Sequence, residues 1–337
     1  MVRFLVVRFS SIGDIILTTP VLRHLKNQVE DAEIHFLTKS AFASLLESNP
    51  FVDQIHSFDG DMKKCIRDLK TLKVDYIIDL HHNARSAHLK YGLKRMDFTV
   101  HKLNWKKWIF VNLKVDRMPH KHMVDRNLDT IRTFISKRDR GGLDYFIPEQ
   151  DEIKPSELPE TYRNGFIGLA IGAQHKTKKL PVESLIELCN RLRHPVIILG
   201  GPSDRDIGEQ IISALPEKTI LNSCGQYNLH QSASLVKQAN LLITHDTGLM
   251  HIGAAFNKKI ISIWGNTVPQ FGMTPFRTHP SSQQFEVTGL KCRPCSKIGY
   301  QKCPKRHFKC MLEQDLEGIV RAAHQLFSST AQQMNRL

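Results

Sequence analysis

Short apolar runs alternate with amphipathic stretches along both halves of the chain. In the first half, residues 4–7, 34–37 and 76–80 are runs of strand length, and each leads into a turn or a helical pattern. Ile15, Leu22, Leu25 and Val29 recur on one helical face, and Pro20 either kinks that helix or shifts its start. Between residues 139 and 163 the rhythm breaks into polar, Gly- and Pro-rich sequence, which predicts a linker near 150–162. It then restarts, with strands expected at 166–171, 196–199, 219–221, 241–244 and 259–264 and helices at 185–192, 203–215 and 229–238. Strands that alternate with helices form parallel sheets, and two such domains in series leave a cleft where ligands bind at strand C-termini. The fold class read from this pattern is α/β. The domains fall at 1–155 and 156–315, with a C-terminal helix over 316–337 that packs back on the N-terminal domain.

Composition narrows this little until charge is counted. At roughly 150 residues per domain, 337 residues suit two domains, and 41% apolar residues exclude a largely disordered chain. No apolar run approaches the roughly 18 residues of a spanning helix, and the first residues read as a buried strand rather than a signal peptide. A cytoplasmic protein is the expectation. Lys and Arg number 47 against 33 Asp and Glu, a formal net charge of +14. Such a surface favours polyanions: nucleic acid, an anionic membrane or a phosphorylated substrate.

Four stretches carry candidate chemistry. Arg8-Phe9-Ser10-Ser11-Ile12-Gly13-Asp14 joins the first strand to the first helix. Gly13 suits an unusual backbone angle or a close ligand approach. Asp14 is either a helix cap or a general base at the strand's mouth. Asp246-Thr247-Gly248-Leu249-Met250-His251 ends an apolar strand and opens a helix rich in small residues. Free N–H groups there suit a phosphate or diphosphate, although an ordinary capped turn has the same look. Gly172-Ala173-Gln174-His175-Lys176-Thr177-Lys178-Lys179 is a small-residue loop with three lysines, phosphate-friendly or merely solvated. Asp204 and Asp206 cap a helix, and Asp204 is placed to reach a ribose. One carboxylate pair is not a closed metal-ligand set.

Together and in this order the four stretches resemble glycosyltransferase family 9, the ADP-heptose:lipopolysaccharide heptosyltransferases. Thr18-Thr19-Pro20, His122-Met123-Val124-Asp125-Arg126, Trp264-Gly265-Asn266-Thr267 and Phe271-Gly272 add to the likeness, which covers about residues 2–325. The resemblance implies a GT-B architecture, two Rossmann-like domains facing a central cleft. It implies inversion at the anomeric carbon, with no cofactor and no required metal. It implies Asp14 as catalytic base, and Lys178, Thr247, Gly248 and Leu249 on the diphosphate. Asp246 and His251 fall to the sugar and Asp204 to the ribose, with Ser11 and Gly13 completing the donor-binding set. The chain departs from the family at Leu180, where Trp is frequent, and in the lack of hydroxyl residues at Gly172-Ala173-Gln174.

Two further segments bear on partners. Between His101 and His122 stand Lys102, Lys106, Lys107, Lys114, Arg117 and Lys121 against Asp116 alone, with Trp105, Trp108 and Phe110 among them. That mixture suits an anionic glycolipid at a membrane surface, with Lys102, Trp105, Lys106 and Lys107 as the contact, or else a solvated helix with buried tryptophans. No nucleic-acid-binding motif is present. Cys292, Cys295, Cys303 and Cys310 are spaced C-x2-C-x7-C-x6-C in a basic loop, open to a structural zinc or to free thiols. The function expected is transfer of a heptose from ADP-heptose to a lipopolysaccharide core acceptor, by an enzyme at the inner face of the inner membrane. The alternatives are the same chemistry with another nucleotide sugar, and a non-catalytic nucleotide- or polyanion-binding protein. An epimerase is disfavoured because the first turn lacks a G-x-G-x-x-G loop.

Overall fold

The computed structural model describes residues 1–334, with side chains through 328. The chain divides into two compact units: Met1–Asn104 with Lys121–Phe146, and Trp105–His120 with Ile147–Leu337.

The first unit is built on β1 (Val2–Val7), β2 (Ala32–Thr38), β3 (Gln54–Ser57), β4 (Tyr76–Asp79) and β5 (Met96–Thr99), in the order β3-β2-β1-β4-β5. Every pair is parallel; Val6 lies opposite Phe36 on one side and Ile78 on the other. Phe4, Leu5, Val6 and Val7 are fully buried because β1 is central and covered on both faces. Phe134 packs against β1, β4 and β5, its ring 5.0 Å from Phe4 and 4.9 Å from both Tyr76 and Phe98. That aromatic cluster holds the 121–146 segment on the first sheet.

The expected first helix is two helices, Ile12–Ile16 and Thr19–Gln28. Pro20 is the second residue of the latter, where its missing N–H costs nothing and its fixed φ favours the start. Gly13 lies inside Ile12–Ile16, is buried, and is absent from the positive-φ glycines, so it has no unusual backbone angle.

The second unit contains β6 (Ile167–Ala170), β7 (Val196–Leu199), β8 (Ile220–Asn222), β9 (Leu241–His245), β10 (Ile260–Trp264) and β11 (Gln283–Glu286). Their order is β11-β10-β9-β6-β7-β8, again all parallel. The helix Gly248–Ala255 lies close on β9: a Cβ on Gly253 would stand 2.6 Å from Leu242 Cδ2. The small residues of this helix thus serve close packing.

One boundary differs from the sequence reading. The polar stretch after Pro148 already belongs to the second unit, where Ile153 N donates to Ser234 Oγ at 3.0 Å, so the division falls after Phe146 rather than at 155. In the last helix, Leu316–Met334, Ile319, Ala322, Ala323, Leu326 and Phe327 join the core of the second unit, and the Phe327 ring stacks on His194 at 3.7 Å. Residues 335–337 of that expected helix lie outside the described residues. No helix among the described residues is long and apolar enough to cross a membrane.

Candidate active site

In an open parallel sheet the strand order reverses at one point, and the C-terminal ends of the two strands flanking it form a ready crevice. In the first unit these strands are β1 and β4; in the second they are β6 and β9. The candidate residues gather at these two points.

Beyond β1, Ser11 caps the helix Ile12–Ile16 with a capping box. Its N–H and hydroxyl both donate to Asp14 Oδ2, at 3.2 and 2.9 Å. Asp14 is therefore a cap, as the simpler reading held, but one oxygen serves another partner. Arg8 Nη2 stands 2.6 Å from Oδ1. The Arg8 guanidinium is itself anchored, donating to the carbonyls of Ser10 and of Leu80 just past β4. Burial pushes the Asp14 carboxyl up, but the Arg8 charge and the Ser11 donors outweigh it and hold the group at about 2. Asp14 is thus ionised at neutral pH.

Residue types alone gave no role to Arg8 or to His81, which follows β4. Asp79 Oδ1 accepts the N–H groups of His81 and His82 at 3.0 and 2.7 Å, shaping this turn. The His81 ring meets Phe9 edge-on at 5.2 Å, and its buried Nδ1 has no partner among the described residues. Burial and the nearby charges of Arg8 and Lys102 press its pKa down to about 3, so it is neutral. Lys102 thus borders this site as well as the basic segment. From the helix Met123–Thr130, Asn127 Nδ2 donates to the Leu17 carbonyl at 2.9 Å and fixes the end of the Asp14 turn.

In the second unit, Lys178 ends a short 3-10 turn beyond β6 and reaches Asp246 beyond β9, Nζ to Oδ2 at 2.6 Å. The Thr267 hydroxyl donates to the same oxygen at 2.9 Å. Thr267 follows β10, and sequence reasoning assigned it nothing. Beside it, Asn266 is 1% exposed and its amide nitrogen and oxygen have no partner among the described residues. A buried amide without partners is costly unless something polar meets it.

Thr247 is the N-cap of Gly248–Ala255, yet its side chain makes no cap hydrogen bond; its hydroxyl lies 3.4 Å from Thr244 Oγ1 instead. The amides at the start of this helix are left for another acceptor, and Thr247, Gly248 and Leu249 are all partly accessible. His251 is buried one turn on.

Asp204 is 4% exposed and committed: it pairs with Lys179 and accepts Gly201 N–H at 3.0 Å. A Cβ on Gly172 would stand 2.6 Å from its Oδ2, so the glycines of the β6 and β7 loops make room for this carboxylate. His245 Nε2 accepts the Leu180 N–H at 3.0 Å, with burial and then Lys179 lowering its pKa to about 4.

The lysine loop is also held from the far end of the chain. Thr177 donates its N–H and hydroxyl to the Tyr300 carbonyl at 3.1 and 3.0 Å. Tyr300 lies in the cysteine-bearing loop, where Cys292 Sγ is 3.7 Å from His307 Nε2. Among the described residues no group of three or more His, Cys, Asp or Glu is arranged to hold a metal ion.

The basic segment forms the helix Asn104–Leu113, with no buried residue. Trp105 and Trp108 are 69% and 45% exposed and stack on each other at 5.1 Å, so neither is a core tryptophan. Lys106 is exposed, and Lys107 lies over the Phe271 ring at 5.8 Å.

Residues 62–307 match the family model of glycosyltransferase family 9 (heptosyltransferase). The chain belongs to glycosyltransferase family 9. It is 25% identical over 306 residues to lipooligosaccharide heptosyltransferase 2 of Haemophilus influenzae, covering 79% of this chain and 84% of that protein. Among solved structures it resembles a family 9 glycosyltransferase of Veillonella parvula, with TM-score 0.78 and 22% identity over 97% of both chains. It also resembles the E. coli ADP-heptose lipopolysaccharide heptosyltransferase II, with TM-score 0.72 and 19% identity over 97% of this chain and 99% of the other. These likenesses show the fold, the GT-B class with two Rossmann-like domains. As a member of this family the chain is a glycosyltransferase.

Proposed function

We propose that this glycosyltransferase moves a heptose from ADP-heptose to an anionic lipopolysaccharide core acceptor, with inversion at the anomeric carbon and without a metal ion. The observation that carries the reading is the arrangement at the second switch point. A lysine, a carboxylate and an uncapped helix start converge there beyond β6 and β9. The names of the relatives support heptose as the sugar and lipopolysaccharide as the acceptor class.

In this reading the acceptor hydroxyl oxygen attacks the anomeric carbon as the bond from that carbon to the diphosphate oxygen breaks. The leaving diphosphate takes the bonding pair, and Lys178 with the amides of Gly248 and Leu249 stabilises its charge. Lys178 exchanges Asp246 for phosphate oxygens, which frees Asp246 to accept from sugar hydroxyls. His251 backs the same helix, Ser11 and Gly13 shape the Asp14 turn, and Asp204 holds Lys179 and the glycine loops rather than a ribose. The acceptor proton passes to Asp14. A carboxylate held this acidic is a weak base, so proton transfer comes late, after departure of the diphosphate has made the attacking hydroxyl acidic.

The acceptor is lipid-linked in this reading, and the exposed Trp105 and Trp108 with Lys106 meet the surface that carries it, the cytoplasmic face of the inner membrane. Thermal-shift titration with ADP, UDP, GDP and their sugars tests the donor. ADP and ADP-heptose should raise the unfolding midpoint most. A larger shift with UDP or GDP would replace the donor and keep the chemistry, and no shift with any nucleotide would favour a non-catalytic polyanion-binding protein.

A further inference from the structure

A cavity of about 530 Å³ lies in the second unit between the end of the helix Asn104–Leu113 and the cysteine-bearing loop. Its size is that of a small-molecule site, roughly 300–1,000 Å³. Lys114, Lys291, Lys305 and His307 line it and no carboxylate does.

These four side chains are not equivalent. Lys114 is part of the wall: its ammonium donates to the carbonyls of Val111, Cys292 and Pro294 at 2.6, 3.1 and 2.7 Å. That exhausts its three protons and fixes the loop against the helix. Of the other loop cations, Arg293 pairs with Glu286 at 2.8 Å and Lys309 with Glu313 at 3.2 Å, while Lys297, Lys302 and Arg306 do not line the cavity. Lys291 and Lys305, which line the cavity, have no carboxylate within ion-pair distance among the described residues. His307 Nδ1 accepts the Lys309 N–H at 3.1 Å, which leaves the ring proton on Nε2, the atom nearest Cys292 Sγ. Two cations without a carboxylate partner, and the His307 ring beside Cys292, thus face one concavity whose remaining walls include Leu290 and Pro304. A concave surface lined by one sign of charge concentrates the opposite ion.

We infer that this cavity is a binding site for a phosphomonoester, engaged by Lys291, Lys305 and His307. It goes beyond the proposed transfer, whose donor phosphates fall to Lys178 and the Gly248 helix start. A free phosphosugar and a lipid-borne phosphate share this chemistry.

The test uses the full chain and two probes: glucose 6-phosphate by isothermal titration calorimetry, and phosphatidylcholine vesicles with or without phosphatidic acid by co-sedimentation. The double variant Lys291→Gln/Lys305→Gln should weaken phosphate-dependent binding by about tenfold or more, the effect of losing one or two charge-assisted hydrogen bonds. Its unfolding midpoint should match that of the unaltered chain. Loss confined to glucose 6-phosphate identifies a soluble ligand and loss confined to the vesicles a lipid headgroup; either supports the site. Lys178→Gln should leave both affinities as they are. Binding of both probes that survives the double variant, loss of binding in Lys178→Gln instead, or no phosphate-dependent binding of either probe by the unaltered chain overturns the inference.

Discussion

Replacing Arg8 by Gln tests how the Asp14 site is tuned. Asp14 is held at about 2 against an ordinary 3.8. Burial alone would raise it, so the whole depression is owed to Arg8 and Ser11, with the Arg8 charge the largest opposing influence. The shift is worth about 2 kcal/mol in favour of the ionised form, at 1.36 kcal/mol per unit. Because the folded-state value is depressed, this stabilisation is present above the unfolded value of 3.8 and is lost as pH falls toward 2. With Arg8 gone, the two Ser11 donors oppose burial alone, and the carboxyl should rise to its ordinary range or beyond. The acid limb of kcat/KM reports the free enzyme's base. In the unaltered chain no Asp14 limb should appear above a pH of about 4. In Arg8→Gln it should appear near or above that value, and Arg8→Lys, which keeps the charge but not the fork to Ser10 and Leu80, should fall between. The assay is initial-rate ADP release across pH, with circular dichroism at each pH to show that the variant stays folded. Superimposable profiles for a folded Arg8→Gln and the unaltered chain would refute the reasoning.

Three further perturbations probe the remaining parts. Lys178→Ala should weaken ADP binding by about ten- to a hundredfold, the value of one charge-assisted contact, measured by calorimetry; an unchanged Kd would remove this lysine from the phosphate site. Gly200→Ala should cost about 1–3 kcal/mol in urea unfolding, because the new Cβ would lie 2.8 Å from Cys224 Sγ and 2.9 Å from Asp204 Cβ; a neutral result would mean that the loop yields easily. Trp105→Ala with Trp108→Ala should reduce sedimentation with anionic vesicles while stability changes by less than about 0.5 kcal/mol, since both rings are exposed. Undiminished vesicle binding would leave the stacked pair without a role at a surface.

The central strands were legible because burial on both faces leaves near-continuous apolar runs, as in β1, β7 and β10. The edges were not. β3 (Gln54–Ser57), β5 (Met96–Thr99) and β11 (Gln283–Glu286) are short and polar, and only their pairing partners make them strands. The positions of Asp14 and Asp246 followed from strand-to-helix turns visible in the sequence. Their partners did not, because Arg8 anchors to Leu80 and Thr267 reaches Asp246 across the sheet rather than along the chain. Asp204 is a further case: its place after a strand suggested a ribose contact, while its pairing with Lys179 and its packing against the glycine loops were not visible in the sequence. The segment Trp105–His120 carried its charge and aromatic pattern openly, but its attachment to the second unit rests on distant partners, Phe271 under Lys107 and Phe110 and two carbonyls of the cysteine-bearing loop on Lys114.

The most direct test of the proposed chemistry pairs two measurements on Asp14→Ala. Mass spectrometry would follow heptose addition to a deacylated core acceptor, and calorimetry would follow ADP binding to the same preparation. The account predicts that product formation collapses while ADP affinity is retained. Product formed at a near-normal rate by a folded Asp14→Ala chain would contradict it.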